Sequence, residues 1–317
     1  VMSLSTAGLT DGEIGALLTD ASVGATVTVD AAAMTAADLT ALSTNIAKVD
    51  AITNLTVTNT QSSAEIGNLL SKASGATVNA ASMDATDLGQ VAANIGGVGS
   101  ITNLTLDSTM GADLISELLG TKTADASVDV VATGMSAAQL NAIGAAIAEI
   151  DAITGTLALT NGVNASAISS IYAEYTGTTS TVVATGMSSA QLNAIDGAKV
   201  AASGITGTFT INADVTSTQI TALVAKTAAG ATLTVDATGM SAAQITAVEV
   251  GIAVVDTLTG LTLTSSQSAA EMTDLLGSGA VGNTSVSVNA TGDGGSAACG
   301  CCVGCCEDTC ERDHWCD

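Results

Sequence analysis

Two patterns of apolar and polar positions take turns along most of the chain. Short stretches alternate strictly, as in Thr26-Val27-Thr28-Val29, Leu55-Thr56-Val57-Thr58, Thr208-Phe209-Thr210-Ile211, Thr232-Leu233-Thr234-Val235 and Leu261-Thr262-Leu263-Thr264. A period of two in β-branched residues predicts strands with one buried and one solvent-facing side. Between them apolar residues recur at helical spacing: Leu39, Leu42, Ile46 and Val49; Leu140, Ile143, Ile147 and Ile150; Ile245, Val248, Ile252 and Val255. Each set predicts an amphipathic helix covering all four positions.

The helix starts carry their own signals. Thr10 with Glu13, Ser62 with Glu65, Ser136 with Gln139, Ser188 with Gln191, Thr216 with Gln219, Ser241 with Gln244 and Ser268 with Glu271 have capping-box spacing. In such a box the hydroxyl accepts from a first-turn amide while the third residue reaches back. Met34, Met135, Met187 and Met240 precede caps and stand in staple register with Leu39, Leu140, Leu192 and Ile245, so they are expected to pack locally.

The whole pattern recurs. Ile52-Thr53-Asn54-Leu55, Ile101-Thr102-Asn103-Leu104, Ile153-Thr154-Gly155, Ile205-Thr206-Gly207 and Leu258-Thr259-Gly260 are copies of one another. Met34, Met83, Met135, Met187 and Met240 mark a second series about 50 residues apart, and the two interleave, so the unit is about 26 residues. Strands joined through helices pair in parallel, with right-handed crossovers. The expected fold is therefore α/β: a right-handed β-α solenoid over residues 1–291, with about twelve parallel strands and eleven helices. Its strands open near Ser3, Thr26, Thr56, Thr77, Thr105, Ser127, Thr156, Thr181, Thr208, Thr232, Thr262 and Ser285.

In unit length and strand-then-helix order this resembles the leucine-rich-repeat class. The Leu-x-x-Leu-x-Leu-x-x-Asn pattern of that class is absent, although Asp30, Asn79, Asp236 and Asn289 stand near where it places an asparagine ladder; Val131 and Val183 interrupt the series. The Ala/Thr-rich phrasing, as in Asp236-Ala237-Thr238-Gly239-Met240-Ser241-Ala242-Ala243-Gln244, is similar to the repeats of giant bacterial surface and secreted proteins. That resemblance implies an extracellular or cell-surface setting.

Composition narrows the function. Aromatics make up 1% of residues against 47% hydrophobic, so the core is built from small aliphatic side chains. A net charge of -24 repels nucleic acid and anionic lipid. No apolar run is long enough to span a bilayer, so no membrane insertion is expected. The chain opens at Val1 with neither an initiator Met nor a signal region, which points to a processed or truncated product.

Catalytic chemistry has little to work with. Before residue 299 there is no His or Cys, and Lys48, Lys72, Lys122, Lys199 and Lys226 are scattered. Acidic pairs such as Asp84 with Asp87, or Asp125 with Asp129, read as caps and loop carboxylates, and Gly292-x-Gly294-Gly295 lacks the Lys and Ser/Thr of a phosphate loop. No enzyme and no cofactor are expected; calcium on the acidic surface and zinc in the tail are the ions the side chains would accommodate.

Three features remain as candidate sites. Outward Thr26/Thr28, Thr56/Thr58, Thr208/Thr210, Thr232/Thr234 and Thr262/Thr264 are expected to stack as a surface ladder, broken at Asn79, Asp107, Asp129, Val183 and Ala184. Such Thr-x-Thr arrays resemble the ice-binding faces of some antifreeze proteins. Asn54, Asn103, Asn164, Asn283 and Asn289 lie in glycosylation sequons. A Gly hinge and Cys-rich module, residues 292–317, hold Cys299, Cys301, Cys302, Cys305, Cys306, Cys310 and Cys316. These are disulfide candidates, with Cys302, Cys305, Cys310 and His314 as a zinc alternative. Their odd number leaves one sulfur for a neighbour or free.

The expected function is a non-enzymatic structural subunit of an extracellular filament, surface layer or adhesive fibre that associates with itself. The alternative is a binding module that uses the Thr face for ice, glycan or another repeating surface component.

Overall fold

A computed structural model describes residues 2–5, 9–21, 25–121, 127–281 and 286–289. The chain divides into two compact units, one of Val1–Ala158 and Gly162–Gly177, the other of Leu159–Asn161 and Thr178–Asp317. In the first, strands and helices run β1 (Met2–Ser5), α1 (Asp11–Asp20), β2 (Val27–Asp30), α2 (Ala36–Thr44), β3 (Ala51–Thr53), β4 (Thr56–Val57), α3 (Ser63–Leu70), β5 (Ala76–Asn79) and α4 (Ala85–Ala93). They continue through β6 (Val98–Thr102), β7 (Leu104–Leu106), α5 (Ala112–Thr121), β8 (Val128–Val131), α6 (Ala137–Ala145), β9 (Ala152–Thr154) and, after β10 (Ala158–Thr160), whose Leu159 and Thr160 belong to the second unit, α7 (Ala165–Glu174). The second unit holds β11 (Ser180–Val183), α8 (Ser189–Asn193), β12 (Val200–Thr206), β13 (Thr208–Ile211), α9 (Ser217–Val224), β14 (Thr232–Asp236), α10 (Ala242–Val250), β15 (Thr257–Thr259), β16 (Thr262–Thr264), α11 (Ala269–Gly277) and β17 (Ser287–Asn289).

The protein is thus mixed α/β, with eleven α-helices and several short parallel sheets among the described residues, none of them a closed barrel. In the first unit the sheets run β1-β2-β3, β4-β5-β6 and β7-β8-β9; in the second β11 pairs with β12, β14 lies between β13 and β15, and β16 pairs with β17. Partners lie between 20 residues apart, Ser180 to Val200, and 25 apart, Met2 to Val27. The paired spacing is thus shorter than the 26 residues expected. The remaining residues are spent at a kink where β3, β6, β12 and β15 each hand over to the next strand.

Seventeen strands are described, against about twelve expected. All twelve expected positions lie within two residues of a strand; the five additional ones are β3, β6, β9, β12 and β15. These contain the recurring Ile-Thr and Leu-Thr copies, whose apolar member is fully buried at Ile52, Ile101, Ile153, Ile205 and Leu258. The threonine beside it donates its hydroxyl to a carbonyl of the preceding strand: Thr53 to Val29, Thr102 to Val78, Thr154 to Val130, Thr206 to Val182 and Thr259 to Val235, at 3.2–3.5 Å.

The helices are shorter than the four-position stripes implied. α2, α6 and α10 end after Thr44, Ala145 and Val250, and separate 3-10 turns follow at Ile46–Lys48, Ile147–Glu149 and Ile252–Val254. Asn45, Ala146 and Gly251 sit at φ of -104, -116 and -107 with ψ between 14 and 29, which breaks the helical line. The break turns Val49, Ile150 and Val255 down onto the sheet, where they are buried, and leaves Ile46, Ile147 and Ile252 half-exposed.

Six of the seven expected capping boxes close on both sides, and Thr35 with Asp38 makes another. Thr216 is the exception. Its hydroxyl accepts from the Gln219 amide, but Gln219 Nε2 donates to the carbonyls of Leu192 and Ile195, both at 2.7 Å, and the Thr216 amide turns to Asn193 Oδ1. The Leu192 carbonyl also accepts from the Ile195 amide at 3.3 Å, so the glutamine adds a second donor there and a donor to Ile195 at the end of the short α8. Met83, Met135 and Met187 are buried beneath their caps; Met34 and Met240 are half-buried.

Where a new strand follows a 3-10 turn, an aspartate fastens it to its predecessor. Asp50, Asp151 and Asp256 accept from the amides of Val27, Val128 and Leu233 at 2.6–2.7 Å, while their own amides donate back to the carbonyl of the same residue. Gly99 and Ala201 replace the aspartate in two copies, and there the register shifts, between Ala76 and Thr77 and between Ser180 and Val182. Asp151→Ala is expected to destabilise the protein by about 2 kcal/mol, the worth of a hydrogen bond to a charged acceptor, and Asp151→Asn by less than half of that. Urea unfolding of both variants measures the difference.

The kink itself takes two forms. Asn54 and Asn103 adopt φ of +53, and Gly155, Gly207 and Gly260 adopt +79, +86 and +63. An asparagine occurs where the preceding turn reads Ala31-Ala32-Ala33 or Ala80-Ala81-Ser82. A glycine occurs where it reads Ala-Thr-Gly, at 132–134, 184–186 and 237–239. The reason is steric: a Cβ built on Gly155, Gly207 or Gly260 would run into Oγ1 of Thr133, Thr185 or Thr238. The asparagine instead donates to the turn before it, Asn54 Nδ2 to Asp30 Oδ1 at 2.9 Å and Asn103 Nδ2 to Asn79 Oδ1 at 3.0 Å.

Candidate functional site

The alternation of the strands puts Val, Leu, Ile and Phe inward and hydroxyl residues outward, and parallel register lines those hydroxyls up. The fullest array is on β13, β14 and β15, where Thr208 stands beside Thr232, and Thr210, Thr234 and Thr257 form a file of three. Asp236 pairs with Thr259 at its margin. On β4, β5 and β6 the file is Thr56, Thr77 and Ser100, with Ser100 Oγ donating to Thr77 Oγ1 at 3.3 Å. Thr262 stands beside Ser287.

The expected ladder is therefore corrected in three places, while Thr28 keeps its position in register between Ser3 and Ala51. Thr26 is exposed but precedes its strand. Thr58 lies beyond β4, where its hydroxyl accepts from the Thr60 amide at 3.2 Å and pairs with Thr60 Oγ1. Thr264 likewise accepts from Ser266 and donates to Gln267 Oε1, at 3.2 and 3.0 Å. At these strand ends the chain turns into the next helix, and the hydroxyl is spent on that turn. Thr257 belongs to the array and was hidden from sequence reading because its strand is only three residues long.

The residues placed near an asparagine ladder do not stack as one. Each of Asp30, Asn79 and Asp236 caps its own turn, accepting from the amides of Ala32, Ala81 and Thr238. The Asn54 amide holds the Asp30 carboxyl below the usual range, helped by Ala32; the Thr238 hydroxyl and amide do the same for Asp236. Of the sequon asparagines, Asn54 and Asn103 are exposed at the kink and Asn164 caps α7 through Oδ1. Asn289 closes β17, and Asn283 lies outside the described residues. So do all seven cysteines and His314, hence the disulfide and zinc alternatives as well.

Sequence reading also missed the second job of the capping glutamines. Gln139 Nε2 donates to the carbonyls of Ser108 and Met110, Gln191 Nε2 to Asn161, and Gln244 Nε2 to Ala213 and Val215, in each case about 30 residues back. One amide thus closes its own cap and tethers its helix to the preceding loop. The signal was the choice of Gln over Glu, since only Gln can accept and donate at once.

A separate feature is an open cleft of about 640 Å³ in the second unit, lined by Glu249 and Ile252 on one side and Thr273, Asp274 and Gly277 on the other. Burial pushes the Glu249 carboxyl up, with Asp274 and Glu271 adding to it. Among the described residues no set of three His, Cys, Asp or Glu side chains is placed to hold a metal ion. No helix among them is long and apolar enough to cross a membrane.

No protein-family model matches the chain, and no characterised protein does. Among solved structures it is similar to a chain of the Rad7 and Elc1 complex in yeast, at 8% identity over 80% of this chain and 73% of that one. The TM-score is 0.25, a likeness too slight to bear on fold or function.

Proposed function

We propose that this protein is a non-enzymatic structural subunit of an extracellular filament, surface layer or adhesive fibre. On this reading residues 1–291 form one right-handed β-α solenoid, and residues 292–317 are a linking module rich in cysteine. The observation that carries the reading is the parallel pairing of strands 20–25 residues apart within both units. Each strand-helix repeat then buries its apolar face against its neighbours in sequence, the arrangement that stacks without limit and self-associates end to end. A repeat region without His or Cys and a charge of -24 fit a surface-displayed scaffold better than a catalyst.

The hydroxyl array of Thr208, Thr210, Thr232, Thr234 and Thr257 favours one second reading, a module that binds ice, glycan or another repeating surface. Electron microscopy and sedimentation of the purified protein across a hundredfold concentration range distinguish them. Ordered polymers are expected. A chain that stays monomeric throughout, and shows thermal hysteresis or glycan binding lost in Thr210→Lys, would replace the first reading with the second.

A further inference from the structure

Position by position, α11 departs from the helices it repeats. In α1, α3, α5, α7 and α9 the fourth helical residue is Ile14, Ile66, Ile115, Ile168 and Ile220, each 0% exposed. The eighth is Leu18, Leu70, Leu119, Tyr172 and Val224, none more than 5% exposed. In α11 the same positions are Met272, half-exposed, and Leu276, 44% exposed. The contacts explain what is missing. The Val224 side chain is covered by the repeat that follows, whose Gly251 approaches so closely that a Cβ would collide with it, and Gly97 of the repeat after α3 comes equally close to the Leu70 carbonyl. β17 shows the same departure: Val288, paired with the fully buried Leu263, is 57% exposed.

The last described repeat therefore leaves Met272, Leu276 and Val288 bare where each earlier repeat has a successor. The geometry points to residues 290–317 of this same chain as its cover. That segment leaves directly from the end of β17, and residues 290–317 outnumber the 20–25 that separate paired strands, which is enough chain for one further repeat. It has the chemistry as well. Seven cysteines, Val303 and Trp315 supply small and flat apolar groups suited to a shallow surface, and no charged residue interrupts them from Gly294 to Cys306. The inference rests on the structural reading and changes one part of it: residues 292–317 become a cap on their own chain and not a link between copies, so assembly runs through the remaining surfaces of the repeats.

Trp315 is the single tryptophan, so its fluorescence reports on the segment alone. In the monomer, emission is expected to be blue-shifted and protected from acrylamide. Leu276→Ser with Val288→Ser should raise the quenching constant roughly threefold, as burial against apolar surface is lost. Val250→Ser, at an apolar residue already 68% exposed on α10, should leave it unchanged. A solvent-exposed Trp315 in the wild-type monomer overturns the proposal without any variant. So does protection that grows with concentration, which makes a second copy the occupant, or protection indifferent to the double substitution. Polymers formed by a chain with exposed Trp315 would sink this inference alone; a protected monomer that never assembles would sink the filament reading alone.

Discussion

Gly260→Ala is expected to destabilise the protein by roughly 2 to 3 kcal/mol, far more than a glycine-to-alanine change on an ordinary surface. Two costs combine. The backbone at Gly260 has φ of +63, and its new Cβ would meet Oγ1 and the amide of Thr238 and the Asp236 carboxylate. The same chain contains the remedy. Around Asn54 the left-handed kink carries a side chain without conflict, because Ala32 stands where Thr238 does and Asp30 accepts from the Asn54 amide. Asp236 is already in the place of Asp30, each accepting from the amide two residues on at 3.1 Å. The double change Thr238→Ala with Gly260→Asn should therefore return stability to within about 1 kcal/mol of the parent. Denaturant midpoints of the parent, the single and the double variant decide it. A double variant as unstable as Gly260→Ala would mean that the two kink types are not interchangeable modules.

The second large effect separates the helical stripe as read from the stripe as built. Ile153 is fully buried in β9, whereas Ile147 lies half-exposed on the 3-10 turn before it. Ile153→Ala should cost about 3 to 4 kcal/mol through lost burial and the cavity left behind, and Ile147→Ala under about 1 kcal/mol. Periodicity alone ranks them the other way, since Ile147 belongs to the helical set and Ile153 to none. Equal losses on unfolding would argue that the α6 helix does continue through Ile147.

Several levels of this protein are written locally, and those were legible. Helix starts depend on a hydroxyl and an acceptor three residues on, so Ser62, Ser136, Ser188, Ser241 and Ser268 announce them without reference to the rest of the chain. The longer strands depend on a period of two, and the repeat depends on copies that can be compared by eye. The kink could have been read as well: Ala-Thr-Gly foretells glycine one repeat later, and an all-small turn without threonine foretells asparagine.

What the tertiary structure decided was set by groups distant in sequence. β3, β9 and β15 are three residues long, too short for any periodic signal, and exist because a neighbouring strand offers the hydrogen bonds. Helix length was settled by the need to bring Val49, Ile150 and Val255 back to the sheet, which an unbroken helix would carry past it. The role of Gln219 was settled by the Leu192 and Ile195 carbonyls that the end of α8 brings within its reach, and the hydroxyl array by register, which spends Thr58 and Thr264 on turns and recruits Thr257. Local spacing states what a segment can form; only its neighbours determine which of its donors, acceptors and apolar faces remain to be satisfied.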